Sequence, residues 1–419
     1  MKNRKREICT SGSVRDEDGQ PPHLLGRRNF LHLAAGAAAL PAVSRFAWAQ
    51  AYPSPPPSST TLDARQFSTS PHAGTASDPW PGDAIRSALM ALPATGGTVM
   101  VADGIWKIDA VLRFNGSNFN LVGQSLNAQL VFTGAGQMWF GSGSGISNAT
   151  ISTLTINANA LPMSSPQAAM RVSNAQNCFF KNNRVLGHQN GAMPAVFFEG
   201  GINNQFLDNT LIASPSGGDL LQLQPLGPTG NSGFVVSHNT FDSGMLYVIG
   251  LNDVQIRNNT FHNQTLGNYI GLMVSGPFAG VCHDIVVDGN TVDATVGSAN
   301  QAVIGGLPQD PGGTSNIDGF AITNNTVKGT GSLITAQSMD PNNYSGDGLL
   351  GNNKTNVTIT GNQLNSLWGG AVIDLRGGAG SVDKVLIQSN TLQNSAGAQN
   401  VVKQDAHTTN VSILNNQGL

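Results

Sequence analysis

The sequence predicts an all-β solenoid, a fold in which short coils of β-strand stack on one another. An eight-residue phrase, with apolar and polar residues in a fixed order around an asparagine, occurs nine times in the C-terminal two thirds of the chain. The phrase stays constant while its spacing varies, because successive asparagines are 26, 30, 20, 31, 35, 37, 28 and 26 residues apart. Constant cores with variable connectors are typical of solenoids, whose insertions collect in loops. Charged residues are only 11% of the chain, against about 25% in average globular proteins, which also favours a loop-rich β-protein.

The repeated asparagine is expected to form a column at one corner of the solenoid. Asparagine tolerates the left-handed backbone that a sharp turn needs, and its amide can hydrogen-bond to the asparagine of the next coil. We therefore interpret the column as a structural ladder rather than as catalytic residues. The segment TLTINAN predicts a further member at Asn157, 26 residues before the first of the nine. The nine are Asn183, Asn209, Asn239, Asn259, Asn290, Asn325, Asn362, Asn390 and Asn416.

Apolar residues stand at two-residue spacing on both sides of each asparagine, which is the periodicity of a strand with one face inward. Positions five and three before the asparagine are mainly Val, Ile and Phe, and the position two after it is Val, Leu or Phe in the first eight repeats. Their β-branched and aromatic character agrees with strands. Ile256, Ile322 and Ile359, each three before the asparagine, are predicted to be interior.

A short amphipathic helix is predicted ahead of the repeats. Ala84, Ile85, Ala88, Leu89 and Leu92 lie at helical spacing, and Pro93 ends the run. Such a helix would cover the open first coil, as the terminal caps of solenoids must.

These features resemble the right-handed parallel β-helix of the pectate-lyase-like superfamily, from roughly residue 60 to the C-terminus. The stretch GDAIRSALMALPATGGTVMVADGIWKI resembles that family's entry module, in which a capping helix precedes the first strand. The resemblance implies one domain over residues 62–419, with its N-terminal cap at 62–97. It also implies a right-handed parallel β-helix of about ten coils.

Residues 1–49 are interpreted as a cleaved export signal, and the Pro/Ser-rich residues 50–61 as a linker. Arg27 and Arg28 precede an Ala-rich apolar run that ends in a small-x-small cleavage site at Ala47–Ala49. The paired arginines resemble a twin-arginine signal, and the alternative is an ordinary secretory peptide. Both predict export to the periplasm or the extracellular space. The run is too short for a transmembrane anchor.

Composition excludes several classes of function. The leader holds 8 Lys/Arg and 4 Asp/Glu, so the remainder has 21 − 8 = 13 basic and 24 − 4 = 20 acidic residues. A net charge of about −7 without a basic run argues against nucleic-acid binding. Cys178 and Cys282 lie about four coils apart, beyond disulfide reach, and are expected to be separate buried thiols. No Cys/His cluster has metal-ligand spacing, so no metal or cofactor is predicted.

An outward column three residues after the asparagine is the first candidate site. It brings Asp242, His262, Asp293 and Lys328 onto consecutive coils, with Asp219 in the coil before Asp242. Carboxylates on neighbouring coils can approach the separation that glycoside cleavage requires. We assign Asp219, Asp242, His262 and Asp293 as candidate catalytic residues and Lys328 as a substrate-binding residue. The alternative is a solvated polar surface.

The strand after each loop is a second candidate groove, with Glu199, Gln224, Tyr247, Asp374 and Arg376 as candidate substrate-binding residues. The resemblance implies that a glycan lies along this strand, and that catalytic aspartates of polygalacturonase-like enzymes occupy the loop-to-strand junction of Asp219 and Asp242. For a lyase it implies an Arg or Lys base beside calcium-binding carboxylates. Arg376 next to Asp374 matches best, and the alternative is a surface ion pair.

The sequence therefore predicts an exported polysaccharide-active protein, with cleavage by carboxylate-based hydrolysis slightly favoured over lyase chemistry. The alternative from another class is a non-catalytic carbohydrate-binding or envelope-structural solenoid. The expected partner is a polysaccharide. Calcium is expected only if the protein is a lyase, and the oligomeric state is left open.

Overall fold

The computed structural model describes residues 60–162, 164–165, 167–189, 193–214, 219–226, 231–262, 269–275, 281–294, 302–306, 316–330, 332–336, 353–368, 371–377, 380–394 and 400–419. The predicted export signal and residues 50–59 of the predicted linker lie outside this part of the chain.

Every strand pairing in the described residues is parallel, and the coils have three faces. Face A is formed by the strands that precede the ladder asparagine, face B by those that follow it, and face C by those after the next loop. Face B is a sheet of twelve strands. Its strands are Trp80–Pro81, Gly104–Ile108, Ala128–Phe132, Thr155–Asn157, Arg184–Leu186, Thr210–Ile212, Thr240–Asp242, Thr260–His262, Thr291–Ala294, Thr326–Thr330, Gln363–Trp368 and Thr391–Asn394.

Faces A and C are joined at a bend and together form one 26-stranded sheet. The strands of face A are Thr61–Asp63, Gly97–Val101, Phe119–Gly123, Thr150–Ser152, Phe179–Lys181, Gln205–Leu207, Asn231–Ser237, Asn252–Arg257, Val281–Asp288, Asn316–Thr323, Asn353–Thr360, Ser381–Gln388 and Thr408–Leu414. The strands of face C are Val111–Phe114, Gln137–Phe140, Met170–Gln176, Val196–Ile202, Asp219–Gln224, Met245–Ile249, Tyr269–Ser275, Ala302–Gly306, Ser332–Thr335, Ala371–Asp374 and Asn400–Lys403. Two short strands lie at the bend, Gly116–Ser117 and Ile146–Ser147.

The predicted parallel β-helix is therefore confirmed, and its apolar columns line the interior. Ile256, Ile322 and Ile359 are fully buried, as predicted. Phe241 and Phe261, each two residues after a ladder asparagine, stack with ring centroids 4.6 Å apart. Because equivalent side chains of successive coils contact each other, one continuous core runs along the solenoid.

The asparagine ladder is also confirmed. From Asn183 to Asn390, each side-chain Nδ2 donates to the Oδ1 of the asparagine one coil later, over 2.8–3.2 Å. The same Oδ1 accepts the backbone N–H of the earlier asparagine, as in the 2.9 Å bond from Asn239 to Asn259. The ladder side chains before the last coil are buried, so these bonds satisfy polar groups that water does not reach.

Two details of the ladder differ from the prediction. The left-handed residue of the corner is the one before each ladder asparagine, with φ between 52° and 66° from Asn182 to Asn415. The ladder asparagine itself turns inward to bond the next coil. The coil before Asn183 also has no ladder asparagine, because Leu154 occupies that position and donates its N–H to Asn183 Oδ1. Asn157 pairs with Leu186 on face B, so its predicted assignment to the ladder was wrong.

The N-terminal helix, α1, spans Gly82–Met90 and follows a single 3₁₀ turn at Ala64–Phe67. Ala84, Ile85, Ala88 and Leu89 are its buried apolar residues, as the helical spacing predicts. Leu92 was predicted in the same run but lies beyond the helix end, where it is partly buried against the core. They join the same core as the first strands of the solenoid. Pro93 follows the helix end, where a proline cannot continue the hydrogen-bond pattern.

The cysteines are two separate buried thiols, as predicted. Burial raises the pKa of Cys178 to about 11 and that of Cys282 to about 12. Neither is therefore a reactive thiolate at neutral pH.

Candidate functional site

The first predicted column lies on the outer surface of face B, and we call it the charge row: Asp242, His262, Asp293 and Lys328. Asp242 is the strand neighbour of His262, and Asp293 is the strand neighbour of Lys328. Asp242 Oδ1 lies 3.6 Å from His262 Nδ1, and Asp293 Oδ2 lies 3.6 Å from Lys328 Nζ. All four side chains are between 31% and 44% exposed. The row therefore alternates acidic and basic groups at a solvated surface.

The separation of the two acids in this row has a chemical consequence. Asp242 and Asp293 are two coils apart, which is roughly 9–10 Å at about 4.8 Å per coil. That distance lies at the upper end of the carboxylate separation in inverting glycoside hydrolases. His262 belongs to the coil between them, and its Nδ1 lies 3.6 Å from Asp242 Oδ1, so a water or a sugar hydroxyl bound there would meet an imidazole beside a carboxylate.

Asp219 does not stand beside Asp242 in this row. The strand neighbour of Asp242 in the preceding coil is Ile212. Asp219 begins a strand of face C, where its backbone pairs with Met245. Its side chain lies outside what the structure describes. The predicted catalytic residues are thus divided between two faces of the solenoid.

Glu199 is the centre of a buried network on face C. Its side chain is only 5% exposed and accepts two hydrogen bonds from Arg171, from Nε at 2.9 Å and from Nη2 at 2.7 Å. Ser173 Oγ donates to Glu199 Oε1 at 2.7 Å, and Trp139 Nε1 donates to Ser173 Oγ at 2.8 Å. A carboxylate bound bidentately in this way fixes the geometry of its partners. Glu199 therefore positions Arg171 and Trp139.

These residues belong to an outward row of alternating guanidinium and aromatic groups, which we call the face C row: Arg113, Trp139, Arg171 and Phe197. The strand register makes each member the neighbour of the next. The Arg171 guanidinium carbon lies 4.3 Å from the centroid of Trp139 and 5.7 Å from that of Phe197. The Arg113 guanidinium lies on Trp139 at 5.4 Å. Such cation–π contacts hold the charged groups in fixed positions.

Beyond Phe197, the strand register of face C leads to two of the predicted substrate-binding residues, Gln224 and Tyr247. Phe197 is followed by Gln222 and then by Tyr247 in the strand register. Gln222 Nε2 donates to Gln224 Oε1 at 3.0 Å, so the two amides form one polar patch. Tyr247 is buried. The sequence prediction therefore identified Glu199, Gln224 and Tyr247 as residues of this face.

Asp374 and Arg376 form a bidentate ion pair further along face C. Arg376 Nε and Nη2 donate to the two carboxylate oxygens of Asp374 at 3.0 and 2.7 Å. Both side chains are largely buried, so the pair is not the surface ion pair of the alternative interpretation. Hydrogen bonding from Asp374 raises the pKa of the Arg376 guanidinium, and the charges of Asp374 and Asp405 raise it further. A guanidinium with a raised pKa is a poorer base, which disfavours β-elimination at this pair.

Within the described residues, no group of three or more His, Cys, Asp or Glu side chains is placed to hold a metal ion. In that same part of the chain, no helix is long and apolar enough to cross a membrane.

The fold is shared with solved structures, whereas no family model and no curated protein matches the sequence. The surface protein and adhesin PfbA of Streptococcus pneumoniae superposes with a TM-score of 0.60, at 14% identity over 85% of this chain and 97% of the adhesin. The hyperthermoactive exopolygalacturonase of Thermotoga maritima gives a TM-score of 0.58, at 10% identity over 88% of this chain and 94% of the enzyme. These neighbours are right-handed parallel β-helix proteins, and at such identities the likeness establishes the fold alone.

The residues that the sequence prediction missed are Arg113, Trp139, Arg171 and Phe197. They lie either in coils that have no ladder asparagine or many residues after one. The asparagine repeat therefore does not show which of them are neighbours on successive coils. The sequence does contain a pattern that could have found them. The segments MRVS (170–173), VFFE (196–199) and LQLQ (221–224) share strand alternation and end in a polar residue at the same outward position. Aligning these three segments places Arg171, Phe197 and Gln222 in one column.

Proposed function

We propose that this chain is an exported protein that binds a linear polysaccharide along face C. The observation that carries the proposal is the face C row, in which two guanidinium groups and two aromatic rings alternate at one residue per coil. Equivalent positions of adjacent coils are about 4.8 Å apart, so the row presents a straight line of contacts to a linear polymer. The solenoid axis would be parallel to the glycan.

The chemistry of the row suits a glycan. Guanidinium N–H groups donate hydrogen bonds to sugar hydroxyl, ring and carboxylate oxygens, and aromatic rings contact the C–H groups of a sugar. Among the described residues, no acidic side chain forms an ion pair with Arg113. Arg171 uses Nε and Nη2 for Glu199. Arg113 therefore supplies the guanidinium with the most donors available to a ligand.

The rigidity of the row also supports binding. Arg171 is held by the buried Glu199, and Trp139 is held by Ser173 and by the cations on its ring. Side chains fixed before binding lose little conformational entropy when a ligand arrives. The chain can therefore bind a flexible polymer without first ordering its own site.

Arg113→Ala is expected to weaken glycan binding by roughly tenfold to a hundredfold, because a charge-assisted hydrogen bond contributes about 1.5–3 kcal/mol. Isothermal titration calorimetry against a panel of acidic and neutral polysaccharides measures this effect. The matched control is Arg184→Ala, since Arg184 is an exposed arginine on face B. The proposal is wrong if the wild type binds nothing in the panel, or if both variants lose affinity equally.

Hydrolysis at the charge row is the second candidate function. It is favoured by the spacing of Asp242 and Asp293 about the His262 imidazole, which suits a general acid and a general base on opposite sides of a bond. Glycan cleavage there would take place on face B, so binding and cleavage are separable by mutation.

If a polysaccharide is cleaved, Asp242→Asn is expected to lower the rate at least a hundredfold while leaving the fold intact, because it removes a charged acid–base group without changing shape. A reducing-end assay measures hydrolysis, and ultraviolet absorbance of an unsaturated product reports β-elimination. Asp208→Asn is the control, since Asp208 is exposed and has a positive φ that asparagine tolerates. An Asp242→Asn variant with nearly full activity would place the chemistry elsewhere.

A further inference from the structure

A polar cleft lies beside the face C row, at the bend between faces C and A. It has a volume of about 390 Å³ and is formed by three successive coils. Asn115 and Ser117 come from the first coil, Ser144 and Ser147 from the second, and Asn174 from the third. Asn174 directly follows Ser173, the residue that links Trp139 to Glu199. Asn115 and Asn174 lie two and three residues after Arg113 and Arg171, so the cleft is at the C-terminal end of the strands that carry the face C row.

Two lining residues, Ser144 and Gly145, belong to the segment GSGSG, residues 141–145, whose end glycines lie close to the next coil. Gly141 and Gly145 have φ of 76° and 81°. A Cβ at Gly141 would come within 2.1 Å of the Ser173 carbonyl oxygen, and one at Gly145 within 2.6 Å of the Asn174 carbonyl oxygen. Only glycine fits both positions. The two glycines therefore allow this segment to approach the third coil closely.

The lining of the cleft is polar and uncharged, because all nine residues are Asn, Gln, Ser, Gly or Ile. Gly143 N–H donates to Asn115 Oδ1 at 3.2 Å, and Ser147 Oγ donates to Ser117 Oγ at 2.8 Å. The described contacts of Asn115 use its oxygen, so its Nδ2 donors remain for a ligand. Hydroxyl and amide groups without a formal charge match a neutral polyol and offer nothing to balance an anion.

A second cavity of about 260 Å³ adjoins this one and shares Asn115, Gly116 and Ser117 with it. Its other walls include Met90 and Leu92 at the end of helix α1, and Met90 is 62% exposed. A sugar ring has polar edges and an apolar C–H face. The polar cleft can contact the hydroxyl edge of a sugar ring, and the second cavity can contact its apolar C–H face.

We propose that this cleft binds a neutral sugar residue, carried as a branch or as the terminal unit of the glycan that lies on the face C row. The inference rests on the proposed polysaccharide binding, and it adds a ligand class that the row does not specify. The guanidinium groups of the row tolerate acidic sugars, whereas the cleft selects an uncharged one. The protein would then distinguish a decorated polysaccharide from a plain one.

The test uses free monosaccharides, so it does not depend on knowing the polysaccharide. Saturation-transfer NMR of the wild type with D-galactose, D-xylose and D-galacturonate should show transfer to a neutral sugar bound in the cleft, whereas any transfer to the acid is expected at the guanidinium groups of the face C row. Ser144→Leu, at an exposed position of the lining, should remove most of that signal. Asn115→Ala should weaken it severalfold.

Two controls separate the outcomes. Thr210→Leu places the same leucine at an exposed position of face B and should leave the signal unchanged. Arg113→Ala should also leave it unchanged while polysaccharide binding falls. The inference is overturned if no neutral sugar gives a signal, if Ser144→Leu retains it, or if the galacturonate signal is lost in Ser144→Leu as the neutral one is. If Arg113→Ala keeps both its polysaccharide binding and its monosaccharide signal, binding along the face C row is refuted. The proposal for the cleft is not, because the monosaccharide signal reports the cleft separately.

Discussion

Asn259→Ala is expected to destabilise the solenoid by roughly 2–6 kcal/mol, because it leaves buried hydrogen-bonding groups without partners on the preceding coil. Asn259 Oδ1 accepts from both the backbone N–H and the Nδ2 of Asn239, at 2.9 and 3.0 Å. Its Nδ2 donates to the Val236 carbonyl at 2.9 Å and to Asn290 Oδ1 at 3.0 Å. Alanine cannot replace any of these four bonds, and water does not reach the buried ladder.

Urea unfolding of the chain, followed by far-ultraviolet circular dichroism, measures this loss. Asn416→Ala is the graded control, since Asn416 is the last and half-buried member of the nine-residue ladder. It bonds Asn390 and the Ile387 carbonyl, with no later ladder asparagine to hold. Its loss should cost less than half as much. If both substitutions lower the free energy of unfolding equally, burial and hydrogen bonding between coils do not determine how much each ladder asparagine stabilises the protein.

The ladder was predictable because the same residue type occupies it at nine consecutive levels. The asparagine side chain can donate a hydrogen bond to one coil and accept one from another, and asparagine stands at each of the nine positions. The left-handed corner residue before it was not predictable as a column, because His238 and Ser389 adopt that conformation as well as Asn182. Asn157 was wrongly assigned to the ladder because the true ladder position in its coil holds a different residue type. Leu154 occupies the ladder position one coil earlier, and nothing in the sequence marks it.

The candidate sites differ in predictability for a geometric reason. The charge row stands three residues after the asparagine on a strand that follows it directly, so Asp242 and His262 could be aligned from the sequence. The face C row comes after loops of different length. Phe197 is 14 residues after its ladder asparagine, Gln222 is 13 and Tyr247 is 8. Variable loops remove the fixed spacing from the asparagine, so these positions can be aligned only from the strand segments themselves.

Lys354 is a buried charge that the sequence prediction also missed. It lies on face A between Ile317 and Val382, at the inward position that Cys282 occupies two coils earlier. The residue is fully buried, and its Nζ has no hydrogen-bond partner. Burial lowers the pKa of Lys354 to about 8, against 10.5 for an exposed lysine. An ammonium without a partner in an apolar interior destabilises the folded state.

Lys354→Met is therefore expected to stabilise the protein by roughly 3 kcal/mol at pH 7, since each pKa unit corresponds to about 1.4 kcal/mol. Methionine keeps the length of the side chain and removes the charge, which makes this one of few core substitutions expected to increase stability.

The sign of the pH dependence follows from the lowered pKa. Below pH 8 the lysine is protonated in both the folded and the unfolded chain, so the full penalty is present. Between pH 8 and 10.5 the unfolded chain binds more protons, and wild-type stability rises with pH. The advantage of Lys354→Met should therefore shrink to about 1 kcal/mol near pH 10.

Urea unfolding of both proteins at pH 7 and pH 10 measures the difference, and groups that titrate equally in the two proteins cancel. Lys384→Met is the control, because Lys384 is exposed on the strand Ser381–Gln388. It should change stability by less than about half a kcal/mol at either pH. If Lys354→Met destabilises the chain, or if its effect is the same at both pH values, Lys354 is not a buried unpaired ammonium. The charge would then have a partner that holds it in place.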